Sequence, residues 1–322
     1  MARAVISRDI EEAVRLLKAG SVVALPTETV YGLAGNALIR DTVMRIFKIK
    51  GRPTFDPLIV HCKNAEDAFR YAVRIPSAAI RLAEKFWPGP LTLVLNSTRK
   101  IPSEVTAGLG TVGLRVPSHP LFHQVLEALD FPLAAPSANP FGYVSPTTAR
   151  HVSDQLGHLI DFILDGGPCL YGMESTIVGF EKNVPVVYRL GALPLKKIRQ
   201  VAPDVTVKIH ASSNPKAPGQ LSSHYAPSKK VLWANAAPSS VLEDRLTAVL
   251  VFGPSPEVKP HCHIMNLSST GDYHEAARNL YRLLREFDAG PWHTLVIHPI
   301  PQDPEGWSDV LNDRLERAAA PR

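Results

Sequence analysis

Apolar positions in the first two hundred residues alternate between short runs and helical stripes. A brief strand is predicted at 5–7, followed by a helix to Lys18 that Asp9 or Ser7 can cap and Gly20 closes. Ile10, Ala13, Val14, Leu16 and Leu17 form its inward stripe. Further strands are predicted at 21–25, 58–61, 91–95, 111–116, 133–135, 159–164, 175–179 and 184–189. Helices are predicted at 41–47, 77–86, 119–129 and 147–156, the second stopped by Pro88-Gly89-Pro90. Several strands follow one another directly, which favours a twisted mixed sheet with helices packed on it over a purely parallel one.

From Val201 to Lys229 the pattern dissolves, and residues 211–219 read as a loop by composition. A second alternation then begins, with strands at 230–233, 248–252, 261–265 and 294–297 and helices at 240–245, 273–287 and 307–318. Ala276, Leu280, Leu283 and Leu284 share one stripe of the long helix. The expected organisation is an α/β domain over 1–200, a linker over 201–229 and a smaller α/β domain over 230–322.

Bulk properties narrow the function classes. No run approaches about 18 uninterrupted apolar residues, so no membrane span is expected, and the amino terminus reads directly into a strand with no signal-peptide core. Three scattered cysteines, Cys62, Cys169 and Cys262, suit neither a disulfide framework nor a zinc finger, so a reducing cytoplasm is the expected compartment. His261 and His263 would share one face of a strand, but no further ligand lies near them, and an ordinary strand is the better reading. A net charge of +5 favours anionic ligands without a basic tail.

Chemistry concentrates in a few segments. Lys50-Gly51-Arg52-Pro53 suits a helix end or loop whose two cations converge on a polyanion. It follows Pro26-Thr27-Glu28-Thr29-Val30-Tyr31-Gly32-Leu33 and is answered by Pro136-Ser137-Ala138-Asn139, where a strand ends in polar groups. Alternation in Gly113-Leu114-Arg115-Val116-Pro117 turns Arg115 away from its apolar neighbours, and an Arg within such a strand needs a partner. Glu174 is one available carboxylate.

In this order and spacing these segments resemble the threonylcarbamoyl-AMP synthase family, also called YrdC-like. The likeness covers roughly residues 5 to 200, and His224-Tyr225-Ala226-Pro227 extends it to the long two-domain form. The resemblance implies a YrdC-like first domain, a Rossmann-like second one and a linker closing over the catalytic cavity. It implies that L-threonine, bicarbonate and ATP condense to threonylcarbamoyl-AMP and pyrophosphate, a nucleotidyl transfer. The adenylate serves N6-threonylcarbamoyladenosine formation at position 37 of tRNAs reading ANN codons. Mg²⁺ would accompany the triphosphate with few protein ligands, and no metal-ligating residue is assigned. Transient contact with the tRNA threonylcarbamoyl-transferase machinery and weak RNA binding are further expectations.

Carried onto this sequence, the resemblance gives Lys50 and Arg52 the charge of the departing pyrophosphate. Asp56, Thr111, Ser137, Ser145, Arg189 and Tyr225 join Arg52 around ATP. Ser145 could also cap a helix, since Pro146 suits a first helical position and a helix N-terminus favours anions. Tyr225 would cover the nucleotide from the linker. Thr29, His61, Arg115, Ala135 (through its backbone) and Ser175 would hold threonine, and Asn139 would orient substrate. Two positions depart from the family. Asp56 stands where Asn is frequent, and Gln220-Leu221-Ser222-Ser223 replaces a segment that is frequently basic. The alternative readings are a non-catalytic tRNA- or double-stranded-RNA-binding module and the carbamoyltransferase of hydrogenase maturation, whose zinc fingers this chain lacks.

Overall fold

The computed structural model describes residues 3–209, 217–218, 224–254 and 262–321. The chain divides into two compact units: one takes in Met1–Phe141 and Ser145–Leu221, the other Gly142–Val144 and Ser222–Arg322. Of the linker expected at 201–229, residues 210–216 and 219–223 lie outside the described residues, and so does His261.

The first unit runs β1 (Val5–Ser7), α1 (Ile10–Lys18), β2 (Val23–Leu25), β3 (Gly32–Asn36), α2 (Arg40–Lys50), β4 (Ile59–His61), α3 (Ala65–Phe69), β5 (Ala72–Val73), α4 (Ser77–Phe86) and β6 (Leu91–Ser97). It continues through α5 (Ser103–Thr106), β7 (Thr111–Arg115), α6 (Pro120–Glu127), β8 (Leu133–Ala134), α7 (Ala149–Leu156), β9 (Phe162–Leu164), β10 (Thr176–Glu181), β11 (Val184–Arg189), α8 (Leu195–Val201) and β12 (Thr206–Val207). Its strands form one mixed sheet in the order β1-β9-β2-β3-β8-β4-β7-β6-β10-β11-β12, with β5 beside β6.

Local chemistry explains most boundaries. The Asp9 carboxylate accepts the Glu12 amide and caps α1 as expected. At α7 the cap is Thr148, not Ser145: its side chain accepts the His151 amide, so the helix starts three residues later than a Pro146 start would place it. α2 runs to Lys50 and ends on Gly51, whose φ of 60° gives the left-handed turn that closes a helix. The unpredicted β3 reads GLAGN, with none of the branched residues that announce a strand. Its Gly35 is needed because a Cβ there would lie 2.6 Å from the Thr42 methyl of α2.

One apolar cluster joins α1 and α6 to β2, β8 and β9 through Leu17, Leu25, Phe122, Leu133 and Phe162. A second lies farther across the sheet and holds Ile59, Val94, Ile177 and Tyr188. A one-residue bulge interrupts β10 against β11: Ile177 pairs with Arg189, but Val178 already pairs with Val187. Tyr188 is the extra residue, and the bulge resets which side chains of β11 face which side.

The second unit is a small α/β body with β13 (Lys230–Trp233), α9 (Ser239–Leu242), β14 (Thr247–Val251), β15 (His263–Asn266), α10 (Tyr273–Ala289), β16 (Thr294–Ile297) and α11 (Trp307–Ala319). Its four strands are all parallel, in the order β13-β16-β14-β15. The stripe of α10 is buried as its spacing implies. His263 is exposed and stacks on Trp292 with ring centres 4.1 Å apart.

The bulge has a measurable price. A Cβ on Gly179 would sit 2.2 Å from the Tyr188 ring, which is itself buried. Gly179→Ala is therefore expected to destabilise the protein by about 1–3 kcal/mol. Urea denaturation checks this, and an unchanged midpoint would mean the ring has room to move.

Candidate active site

Registers across the sheet place the chemistry. His61 of β4 pairs with Arg115 of β7. Leu114 pairs with Leu93, which sets Thr92 of β6 beside Arg115. Thr92 pairs with Ile177 of β10, and Ile177 with Arg189 of β11. A single row therefore crosses five strands and carries a His and two Arg. It lies at the carboxyl ends of the parallel strands β4 and β7, the usual place for ligands in open α/β sheets. Arg189 joins it through the bulge: uninterrupted alternation from Val184 would turn this side chain to the opposite face.

Lys50 and Arg52 reach the same region from the end of α2, reversed by Gly51. The helix carboxyl terminus favours the cations. Lys50 Nζ donates to the carbonyls of Ser137 and Asn139, both at 2.5 Å. Arg52 donates to the carbonyls of Asp56 and Pro57 at 3.1 and 2.8 Å. Its Nη2 lies 2.9 Å from the Asp56 carboxylate. Arg189 donates to the Ser175 carbonyl at 2.8 Å and to its hydroxyl at 3.2 Å, and that hydroxyl is 2.8 Å from Thr92 Oγ1.

Burial sets the electrostatics. It pushes the Asp56 carboxyl up from its ordinary value, opposed by the charges of Arg52, Lys50 and Arg189 in that order. Arg52, Lys50 and Arg189 thus surround this carboxylate. Lys50 is pushed well below the usual lysine range, first by burial and then by Arg52. His61 falls to about 3, by burial first and then by Arg115. That makes it a neutral hydrogen-bonding group, far too weak a base for proton abstraction near neutral pH.

Thr29 is fully buried, its hydroxyl 2.7 Å from that of Thr27. Ala135 spends its amide on the Ile59 carbonyl at 3.1 Å, so a backbone contact with a ligand falls to its own carbonyl. Ser137 bridges to Gly32, and Asn139 Nδ2 donates to Pro140. Ser145 is buried beside Pro146, whose carbonyl accepts the Tyr31 amide. Thr111 opens β7, at the end of the strand opposite Arg115. Tyr225, expected on the linker, packs among residues of the second unit. It is stacked on Tyr281 with ring centres 5.8 Å apart and lies 4.7 Å beneath the Arg314 guanidinium.

Sequence reasoning missed Glu28. The partner of Arg115 is this residue, at 2.7 Å, and not Glu174. The signal was a carboxylate set between two threonines in an otherwise apolar segment. Thr92, the partner of Ser175, gave no signal beyond a polar residue within an apolar strand.

The sheet and its row of buried cations define an α/β nucleotide- or anion-handling enzyme unit. Residues 15–191 match the family described as telomere recombination, and residues 193–320 match the carboxyl-terminal domain of threonylcarbamoyl-AMP synthase. The Pyrococcus abyssi threonylcarbamoyl-AMP synthase is 35% identical over 97% of this chain and 94% of its own. The Bacillus subtilis one is 34% identical over 97% and 93%. The crystal structure of P. abyssi Sua5 complexed with L-threonine superposes with a TM-score of 0.88, at 34% identity, over 98% of both chains. The chain belongs to the threonylcarbamoyl-AMP synthase family.

A bound polyanion would reverse the shift on Lys50 and raise its pKa. Binding of inorganic pyrophosphate is accordingly expected to take up protons and to weaken as pH rises. Calorimetry in buffers of different ionisation enthalpy measures the uptake. Lys50→Met should abolish it, and an equal uptake in that variant would assign the proton elsewhere.

Proposed function

We propose that this protein is an L-threonylcarbamoyl-AMP synthase, a nucleotidyltransferase that joins L-threonine, bicarbonate and ATP and releases pyrophosphate. The observation that carries this reading is how charge is divided among the buried side chains. Lys50, Arg52 and Arg189 face a single carboxylate, Asp56, and leave a cationic excess suited to a triphosphate. Arg115 and Glu28 form a pair with no excess beside the neutral His61, suited to a small zwitterion.

In this reading Arg52 and Arg189 grip phosphate oxygens with planar forks and Lys50 supplies a compact charge. Ser137, Ser145 and Thr111 donate hydroxyls. Arg115, Thr29, His61, Ser175 and the Ala135 carbonyl receive threonine. Threonine carbamate, formed from the amine and bicarbonate, attacks the α-phosphorus, and pyrophosphate leaves into the cationic group. No side chain forms a covalent intermediate.

Among the described residues no group of three His, Cys, Asp or Glu could hold a metal ion. Asp56 is already engaged by Arg52. Mg²⁺ is assigned to the triphosphate as part of the substrate, liganded by phosphate and water, as hard cations commonly accompany phosphates. The product would pass to tRNA modification in the cytoplasm by transient contact with the transferase machinery. Among the described residues no helix is long and apolar enough to cross a membrane.

The decisive test is pyrophosphate release from ATP that requires both threonine and bicarbonate, with the adenylate identified by mass spectrometry. No release from folded protein would favour the RNA-binding alternative, and release without either co-substrate would refute the synthase reading. Arg52→Ala should lower the rate by at least ~10²-fold, the scale of one lost charge-stabilising donor.

A further inference from the structure

Arg115 and Glu28 are each at most 5% exposed, and Arg115 Nη2 lies 2.7 Å from Glu28 Oε1. The contact is close but angularly poor. Neither Glu28 oxygen, nor Nε or Nη2 of Arg115, has a hydrogen-bond partner among the described residues. Buried charged groups almost always complete their hydrogen bonds, and leaving several open at one point is costly. The Asp56 oxygens beside Arg52 lack hydrogen-bond partners among the described residues too, but Arg52 itself is held by two backbone carbonyls, which Arg115 is not.

We infer that Glu28 and Arg115 together are the charge complement of an α-amino acid zwitterion, with Arg115 receiving the carboxylate and Glu28 the ammonium group. This deepens the synthase reading and rests on it for the identity of the amino acid as threonine. A free amino acid carries both charges about one bond from a common carbon. An ion pair whose donors and acceptors are already side by side can meet both ends, each by a charge-assisted hydrogen bond. The exchange is neutral for neutral, so no net charge enters a buried site where an unpaired charge would be expensive. The neighbouring His61 stays uncharged and does not disturb that balance.

The same arrangement gives selectivity. A phosphate or a simple carboxylate at Arg115 would bring a negative charge against Glu28 with nothing to offset it. Such anions are left to the cationic excess of Lys50, Arg52 and Arg189. Glu28 thereby keeps the two substrates from occupying each other's places, and it lies next in sequence to Thr29, which the synthase reading also gives to the amino acid.

Calorimetric binding of L-threonine and of 3-hydroxybutyrate, which lacks only the amine, tests the inference. The wild-type protein should prefer threonine by at least ~10-fold, the scale of one hydrogen bond between charged groups. Glu28→Gln should erase most of that preference by weakening threonine while sparing or improving 3-hydroxybutyrate. A parallel loss of both ligands would show that Glu28 merely braces Arg115 and would overturn the inference. The wild-type comparison stands even if the variant fails to fold: equal affinity for the two ligands refutes an ammonium site. Preference for another α-amino acid over its own deaminated analogue, with no binding of threonine, would uphold the zwitterion site and sink the synthase reading instead.

Discussion

Burying four cationic side chains near one face of a sheet is possible only if each finds electron-rich atoms to replace its water. Every other feature of the first unit answers to that constraint. Lys50 is held by two carbonyls, Arg52 by two carbonyls and Asp56, Arg189 by Ser175, and Arg115 by Glu28. The four in the first unit do not neutralise one another's surroundings equally. The group around Asp56 remains electron-poor and the group around Glu28 does not. That difference separates two kinds of substrate within one sheet, and it arises from placing one carboxylate among three cations and another beside a single one.

The backbone supplies most of the acceptors, which explains why the site segments are rich in Gly and Pro. Gly51 turns the chain so that Lys50 and Arg52 approach from one helix end. Gly32 lets its turn close on Ala135 and Pro136, since a Cβ there would meet the Ala135 methyl at 3.2 Å. The Pro136 carbonyl takes the Leu33 amide, and the Tyr31 carbonyl takes that of Ala138. The two polar segments recognised in the sequence are thus stitched together by main-chain bonds, and their carbonyls are fixed before any ligand arrives, which is what preorganised charge stabilisation requires.

Much of this was legible beforehand, for definite reasons. Arg115 could be placed because alternation in a five-residue strand is unambiguous. The convergence of Lys50 and Arg52 followed from Gly and Pro at a helix end. The mixed sheet followed from strands that succeed one another without helices between them. Other parts were hidden. Strand β3 has glycines where branched residues would announce it, and the partner of Arg115 lay 87 positions earlier in sequence, where only three-dimensional pairing could find it. Ser145 looked like a cap because Pro146 fits a helix start, but the helix begins only at Ala149 and Thr148 takes that role. Tyr225 looked like part of a linker because its neighbours lack periodicity, although its ring packs within the second unit.

The bulge at Tyr188 leaves β11 with two frames of reference. Residues before it are counted in one parity and Arg189 in the other, so a library designed by stepping in twos from Val184 would vary Tyr188 and pass over the guanidinium. Removing the extra residue would restore simple pleating and leave that guanidinium opposite Ile177, whereas straightening the strand at its present length would turn it away from Ser175. In this protein the reading frame of one strand, and not only the identity of its residues, is itself a functional determinant.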